Sequence, residues 1–227
     1  DLAAMASAVP FLPPEQVEVL QAGDPKASGR IGVIAAGTGL GQAFLISREN
    51  RFLVLDSEGG HCDFAPRNEL ETALLRHMLK KFERVSNERL LSGAGLFDIY
   101  QFIVQHHALD EPEWLKKEFQ ADDPPSVVSL NALRKKSPAC EKALDLFVSI
   151  YGAAAGNMAL QVLAGIYVGG GIAPKIISKL KEDTFMEAFL AKGRFKTLLS
   201  RMPVKVIMNE KASLIGAAHF AMREITL

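Results

Sequence analysis

The spacing of apolar residues changes several times along the chain, and each change marks an element. Residues 1–9 read as a helix, with Asp1 as N-cap or first-turn residue and Pro10, Pro13 and Pro14 ending it. Residues 16–20 read as a short strand, followed by a loop with Gly23, Asp24, Pro25 and Gly29. Strand-like stretches follow at 30–36, 42–47 and 51–55. Gly37-Thr38-Gly39-Leu40-Gly41 separates the first two, and the turn-like Arg48-Glu49-Asn50 the last two. Three strands joined so tightly are expected to be antiparallel neighbours.

The period then becomes helical. Leu70, Ala73, Leu74, Met78 and Phe82 share one face, behind a start marked by Pro66 and Asn68. Residues 85–88 read as briefly extended, 91–95 as a turn and 96–107 as a helix. The acidic stretch 110–125, with the single Trp114, reads as a loop or short helix. A short helix at 126–133 precedes the longest one, 139–163, opened by Pro138. Ile166-Tyr167-Val168 is a buried strand running into Gly169-Gly170-Gly171. Helices at 175–181 and 185–190, a strand at 204–208 and a helix at about 214–223 complete the pattern. The order predicts an α/β layered domain, a mixed sheet with helices on both faces.

Composition narrows the function classes. The 227 residues are 48% hydrophobic, enough to bury a full core, and 26 basic residues balance 26 acidic ones. Nothing in that balance points to nucleic acid or an anionic membrane. No apolar run is expected to reach the roughly 20 residues that span a bilayer. Cys62 and Cys140 cannot staple a fold of this size or form a four-ligand zinc set, so a reduced, cytoplasmic setting is expected. The chain opens at Asp1, inside a helical pattern and without methionine, so it is expected to be part of a longer polypeptide.

The candidate chemistry centres on Glu58-Gly59-Gly60-His61-Cys62-Asp63, set between the last strand of the meander and the first long helix. Glycines let the backbone turn tightly there and approach a ligand. Glu58 accepts hydrogen bonds from hydroxyls and neutral His61 can donate or accept, which suits a polyhydroxylated molecule. From the residues alone, a polar turn is an equal reading. Gly37-Thr38-Gly39 can aim backbone N–H groups at an anion, with Thr38 adding a hydroxyl, although no Gly-Lys-Ser or Gly-Lys-Thr follows as in a Walker loop. Gly169-Gly170-Gly171 ends a strand where open α/β sheets bind ligands. Ala155-Gly156-Asn157 makes a flat helical face, read first as close helix packing. Glu88 beside Arg89 reads as a solvated surface pair. His77, His106, His107 and His219 lack metal-ligand spacing.

Taken together, these stretches resemble the bacterial-type ATP-dependent glucokinase family. The resemblance runs from the opening Asp1-Leu2-Ala3-Ala4-Met5 through Gly37–Gly41, Glu58–Pro66, Ser86–Gly93 and Gly169–Pro174 to Lys192-Gly193-Arg194-Phe195-Lys196. It implies the ribonuclease-H-like (actin-like ATPase) fold. Residues 1–227 would be the large C-terminal lobe, with 1–9 a hinge helix and about 214–223 a helix packing on a small N-terminal lobe absent before Asp1. It also implies transfer of the γ-phosphate of ATP to the glucose 6-hydroxyl. Asp1 would be the catalytic base, and Glu58, His61, Glu88, Gly37 and Thr38 would bind glucose. Thr38, Gly39, Gly169, Gly170, Gly171 and Asn157 would face the nucleotide, and Mg2+ would be held through ATP and water without protein ligands. The resemblance is compatible with a homodimer. A kinase of the related repressor/ORF/kinase group is the second reading, although that group's cysteine-rich zinc loop is absent. A non-catalytic sugar-binding module is the third.

Overall fold

The computed structural model describes residues 2–24, 29–48 and 51–224. At its centre is a six-stranded sheet of β1 (Val17–Gln21), β2 (Arg30–Ala36), β3 (Leu40–Arg48), β4 (Arg51–Ser57), β5 (Gly165–Gly169) and β6 (Val204–Ile207), ordered β1-β6-β5-β2-β3-β4. The meander β2-β3-β4 is antiparallel, as its short connections require. β5 lies parallel to both β2 and β6, and β1 closes the far edge antiparallel to β6. Glu49 and Asn50 of the expected hairpin turn lie outside the described residues.

Alternation along the strands sends side chains to two cores. Val33, Ala43, Leu45 and Ile207 face α1 (Leu2–Ala8), while Ile34, Ala36, Val168 and Val206 face the larger helical layer. That layer contains α2 (Glu69–Met78), α3 (Asn87–Leu90), α4 (Gly93–His106), α5 (Glu113–Ala121), α6 (Pro124–Leu133), α7 (Pro138–Val162), α8 (Ile177–Leu180), α9 (Asp183–Leu190) and α10 (Lys196–Leu199). The last helix, α11 (Ala212–Glu224), packs on α1. There the backbones come so close that a Cβ on Gly216 would sit 1.7 Å from the Ala4 carbonyl oxygen. Phe11 stacks on His219 beside that contact, while Leu214, Phe220 and Met222 of α11 stay exposed.

Several local expectations change. Residues 91–95 are not a turn: the Ser92 side chain accepts the Gly95 N–H, and α4 starts at Gly93. Residues 85–88 are extended only at Ser86, which bridges to Asp63 before α3 begins. The 110–125 stretch contains the nine-residue helix α5 and the start of α6, capped by Asp123. At 25 residues α7 is long and apolar enough to cross a bilayer, contrary to the sequence expectation. However, 78% of its apolar window is buried inside the domain, so it serves as the core helix.

Candidate functional site

The site is built at the end of the β2–β3 hairpin. Ala36 and Leu40 are its last paired residues, and neither directs its N–H to the other. The Ala36 N–H donates to the Tyr151 hydroxyl at 3.1 Å, and the Leu40 N–H donates to Glu88 Oε2 at 3.0 Å. A tyrosine from α7 thus holds one side of the hairpin and a carboxylate from α3 the other. The Gly93 N–H also donates to the Gly37 carbonyl at 2.9 Å, tying the hairpin to the start of α4. Thr38 is left exposed at the tip.

Tyr151 is fully buried. Its hydroxyl also lies 3.2 Å from the Ile34 carbonyl and 3.3 Å from that of Gly169, so it sits where β2 and β5 part. Burial raises its pKa, which keeps the hydroxyl protonated and able to donate. Just beyond, Gly170 has φ +85°, and a Cβ there would lie 2.2 Å from the Ala36 carbonyl oxygen. No other residue fits that turn without strain. A Cβ on Gly171 would meet nothing within 4 Å, so its backbone faces open space. A cleft of about 310 Å3 opens there at the carboxyl ends of β5 and β6, lined by Gly170, Gly171, Met5, Lys175 and Asn209. The sequence reading gave no role to the last three: Met5 lies in α1, Lys175 just after the Gly169–Pro174 stretch, and Asn209 just after β6.

The Glu58–Asp63 stretch is a 3-10 turn over Gly59–His61. Its glycines are required by contact: a Cβ on Gly60 would fall 1.9 Å from the Leu40 carbonyl oxygen. The turn is therefore pressed against the glycine hairpin. His61 Nδ1 lies 3.7 Å from Glu88 Oε1, and His61 Nε2 lies 3.7 Å from Glu58 Oε2. The imidazole thus stands between two carboxylates from separate segments, one exposed and one partly buried. Further bonds fix the turn to α3. The Asn87 N–H and Nδ2 both donate to the Cys62 carbonyl, and Arg84 donates to Asp63 at 2.7 Å. Glu88 is therefore not the solvated surface partner of Arg89 that its local sequence suggests. The Arg89 guanidinium lies over the Phe82 ring instead.

Of the expected site residues, the structure brings Glu58, His61 and Glu88 together and sets Gly37, Thr38 and Gly39 next to them. Gly169, Gly170 and Gly171 lie across from the hairpin: a Cβ on Gly37 would come within 4.0 Å of the Gly171 nitrogen. Asn157 is not part of that group. It lines a different cavity with Gln42 and Gly59, and its Oδ1 accepts from Lys192 Nζ at 2.6 Å. Gly152 and Gly156 are turned to α9, where Cβ atoms would lie 2.2 and 2.5 Å from the Phe185 and Phe189 carbonyl oxygens. That face of α7 is a helix-packing face. Burial, with the nearby Arg67 charge, lowers the Lys192 pKa to about 8. Asp1 lies outside the described residues. Among the described residues no three His, Cys, Asp or Glu side chains cluster as metal ligands.

The glucokinase family model matches residues 1–224. The chain is 42% identical to a glucokinase of Nostoc punctiforme across 98% of its own length and 70% of that protein's. It is 36% identical to a glucokinase of Photorhabdus laumondii, covering 68% of that relative. Among solved structures, glucokinase from an Antarctic psychrotroph superposes with a TM-score of 0.84 at 32% identity, over 96% of this chain and 66% of that one. A glucokinase of the repressor/ORF/kinase group from Streptomyces griseus, solved with glucose and AMPPNP, shares the fold at a TM-score of 0.61 and 19% identity. The sheet and its flanking helices are thus the actin-like, ribonuclease-H-like ATPase fold.

Proposed function

The chain belongs to the glucokinase family, the kinases that phosphorylate glucose from ATP, and we propose that it forms the large lobe of such an enzyme. In this reading Glu58, His61 and Glu88 hold glucose and the Gly37-Thr38-Gly39 hairpin meets the transferring phosphate. The observation that carries it is the convergence of His61, Glu58 and Glu88 at 3.7 Å spacing, directly beside the hairpin that Glu88 itself anchors. Carboxylates accept from sugar hydroxyls and imidazole does either, so the three fix a pyranose ring without charge of its own.

Phosphoryl transfer asks mainly for positioning and charge stabilisation. The glucose 6-hydroxyl attacks the γ-phosphorus, the bond to the ADP oxygen breaks, and Asp1 accepts the hydroxyl proton. The open backbone at Gly170 and Gly171 suits the nucleotide, with Lys175 at the rim of the same cleft. Asn157 is left out of the nucleotide assignment because it lines another cavity. Mg2+ would come bound to ATP and water, screening the phosphate charge. The described residues offer no acidic cluster to hold it.

The exposed Leu214, Phe220 and Met222 on α11 support a contact with a small N-terminal lobe. Cys62 and Cys140 are both free thiols, which supports a cytoplasmic setting. The test is a coupled assay of ADP formation by the full-length protein. Turnover that requires both glucose and ATP is expected, and no glucose-dependent ADP release would overturn the proposal.

A further inference from the structure

A second cavity, of about 340 Å3, lies behind the Gly59–Asp63 turn on the side facing α7. That volume is at the small end of ligand cavities, about 300–1,000 Å3. Its most telling feature is Gln42 of β3. This side chain is only 7% exposed, lines the cavity, and has no hydrogen-bond partner among the described residues. The contact met by a Cβ on Gly59, 2.2 Å from Gln42 Oε1, places the amide directly under the turn. The Gln42 amide is not among the buried unpaired polar atoms, so it reaches solvent through this cavity.

We propose that this cavity is an accessory site for a small neutral polyhydroxylated ligand, of the monosaccharide or polyol class. The lining decides the class. Gln42, Asn87, Asn157 and Gln161 present amides, which both donate and accept, as hydroxyls do. Asp63, the charged residue of the lining, is matched, whereas the Lys192 ammonium nearby meets only neutral acceptors. Asp63 is paired with Arg84 at 2.7 Å, and Lys192 donates to the Asn157 Oδ1, leaving that amide's N–H groups as donors. A cation finds no unpaired carboxylate on this wall, and the amides outnumber charged groups in it. Leu160 adds an apolar patch to the wall, and Met158, only 1% exposed, packs behind it with its thioether toward Gly32.

The site shares a wall with the sugar-holding cluster. The turn that carries Glu58 and His61 on one side forms the cavity with Gly59, Cys62 and Asp63, and Asn87 precedes Glu88. An occupant braces the turn and α3 from behind. The consequence for glucose affinity rests on the proposed kinase reading, whereas occupancy of the cavity does not.

The test uses full-length protein carrying 13C-methyl methionine, free of glucose, titrated with sorbitol, myo-inositol and inorganic phosphate. Met158 reports this cavity, and Met5, in the cleft of Gly170 and Gly171, serves as the control. A saturable shift of the Met158 methyl with sorbitol or myo-inositol is expected, without one at Met5. The apparent Kd should rise at least tenfold in Gln42→Leu and in the exposed Gln161→Ala, the latter keeping wild-type turnover. No saturable shift, a shift unchanged in both variants, or binding of phosphate instead overturns the site. Because no glucose is present, the titration reads the cavity whether or not the protein phosphorylates glucose. A glucose KM unchanged by a bound polyol overturns the coupling alone.

Discussion

Replacing Tyr151 by Phe removes one oxygen atom and nothing else, which makes it a sharp probe of how the hairpin is held. The ring stays packed against Phe147 and Phe185, with centroid distances of 6.0 and 5.9 Å, so no cavity forms beyond the missing hydroxyl. The Ala36 N–H loses the acceptor it had at 3.1 Å and is left buried. The Ile34 and Gly169 carbonyls each lose a shared donor at 3.2 and 3.3 Å. An unsatisfied buried N–H costs about 1–3 kcal/mol and a lost net hydrogen bond about 1 kcal/mol, so a total near 2–3 kcal/mol is expected. Urea unfolding should show that loss as a lower midpoint with an unchanged m-value. Because the hydroxyl spans the parting of β2 and β5, the Gly37–Gly39 hairpin and Gly170 should loosen together. Steady-state kinetics should then show a higher KM for ATP and a lower kcat, with a smaller change in KM for glucose. Stability within about 0.5 kcal/mol of wild type, together with unchanged ATP kinetics, would refute the reasoning.

Two further predictions concern neighbouring groups. Glu71 is fully buried and ion-paired with Arg67, whose guanidinium also donates to Ser149 at 2.8 Å. Arg67→Ala strands that carboxylate and should cost about 3–5 kcal/mol by urea unfolding, whereas loss below about 1 kcal/mol would contradict the pairing. Burial holds the Lys192 pKa down at about 8, below the ordinary lysine value of 10.5. Between those values the unfolded chain binds more protons than the folded one, so this group makes stability rise with pH from about 8 to 10.5. Comparing Lys192→Met with wild type across that window should show the rise missing from the variant. Parallel curves would contradict the depressed pKa.

The parts of the fold that were legible in the sequence are those set by near neighbours. The β2-β3-β4 meander follows from short turns, and α2 and α7 follow from period and from starts marked by Asn68 and Pro138. The sheet order was not legible. β1 and β6 pair through residues as far apart as Val17 and Ile207, and no local pattern encodes that choice. The site divides in the same way. Glu58 and His61 announced themselves through the glycines around them. Glu88 did not, because a four-residue helix shows no periodicity and its decisive partner is the Leu40 N–H, 48 residues away. Asn157 was drawn toward the nucleotide by resemblance, yet α7 carries it to the cavity beside the Gly59–Asp63 turn. The short α3 and the early start of α4 were missed although Ser92 is a strong N-cap, because the glycines after it read as a turn.

The central claim is that one imidazole between two carboxylates grips the sugar. Its most direct test is equilibrium glucose binding by the full-length protein, wild type against His61→Ala and Glu88→Gln, with circular dichroism confirming that each variant is folded. The account predicts at least a tenfold weaker Kd for glucose in each variant, about 1.4 kcal/mol or more. Glucose affinity equal to wild type in both folded variants would contradict it.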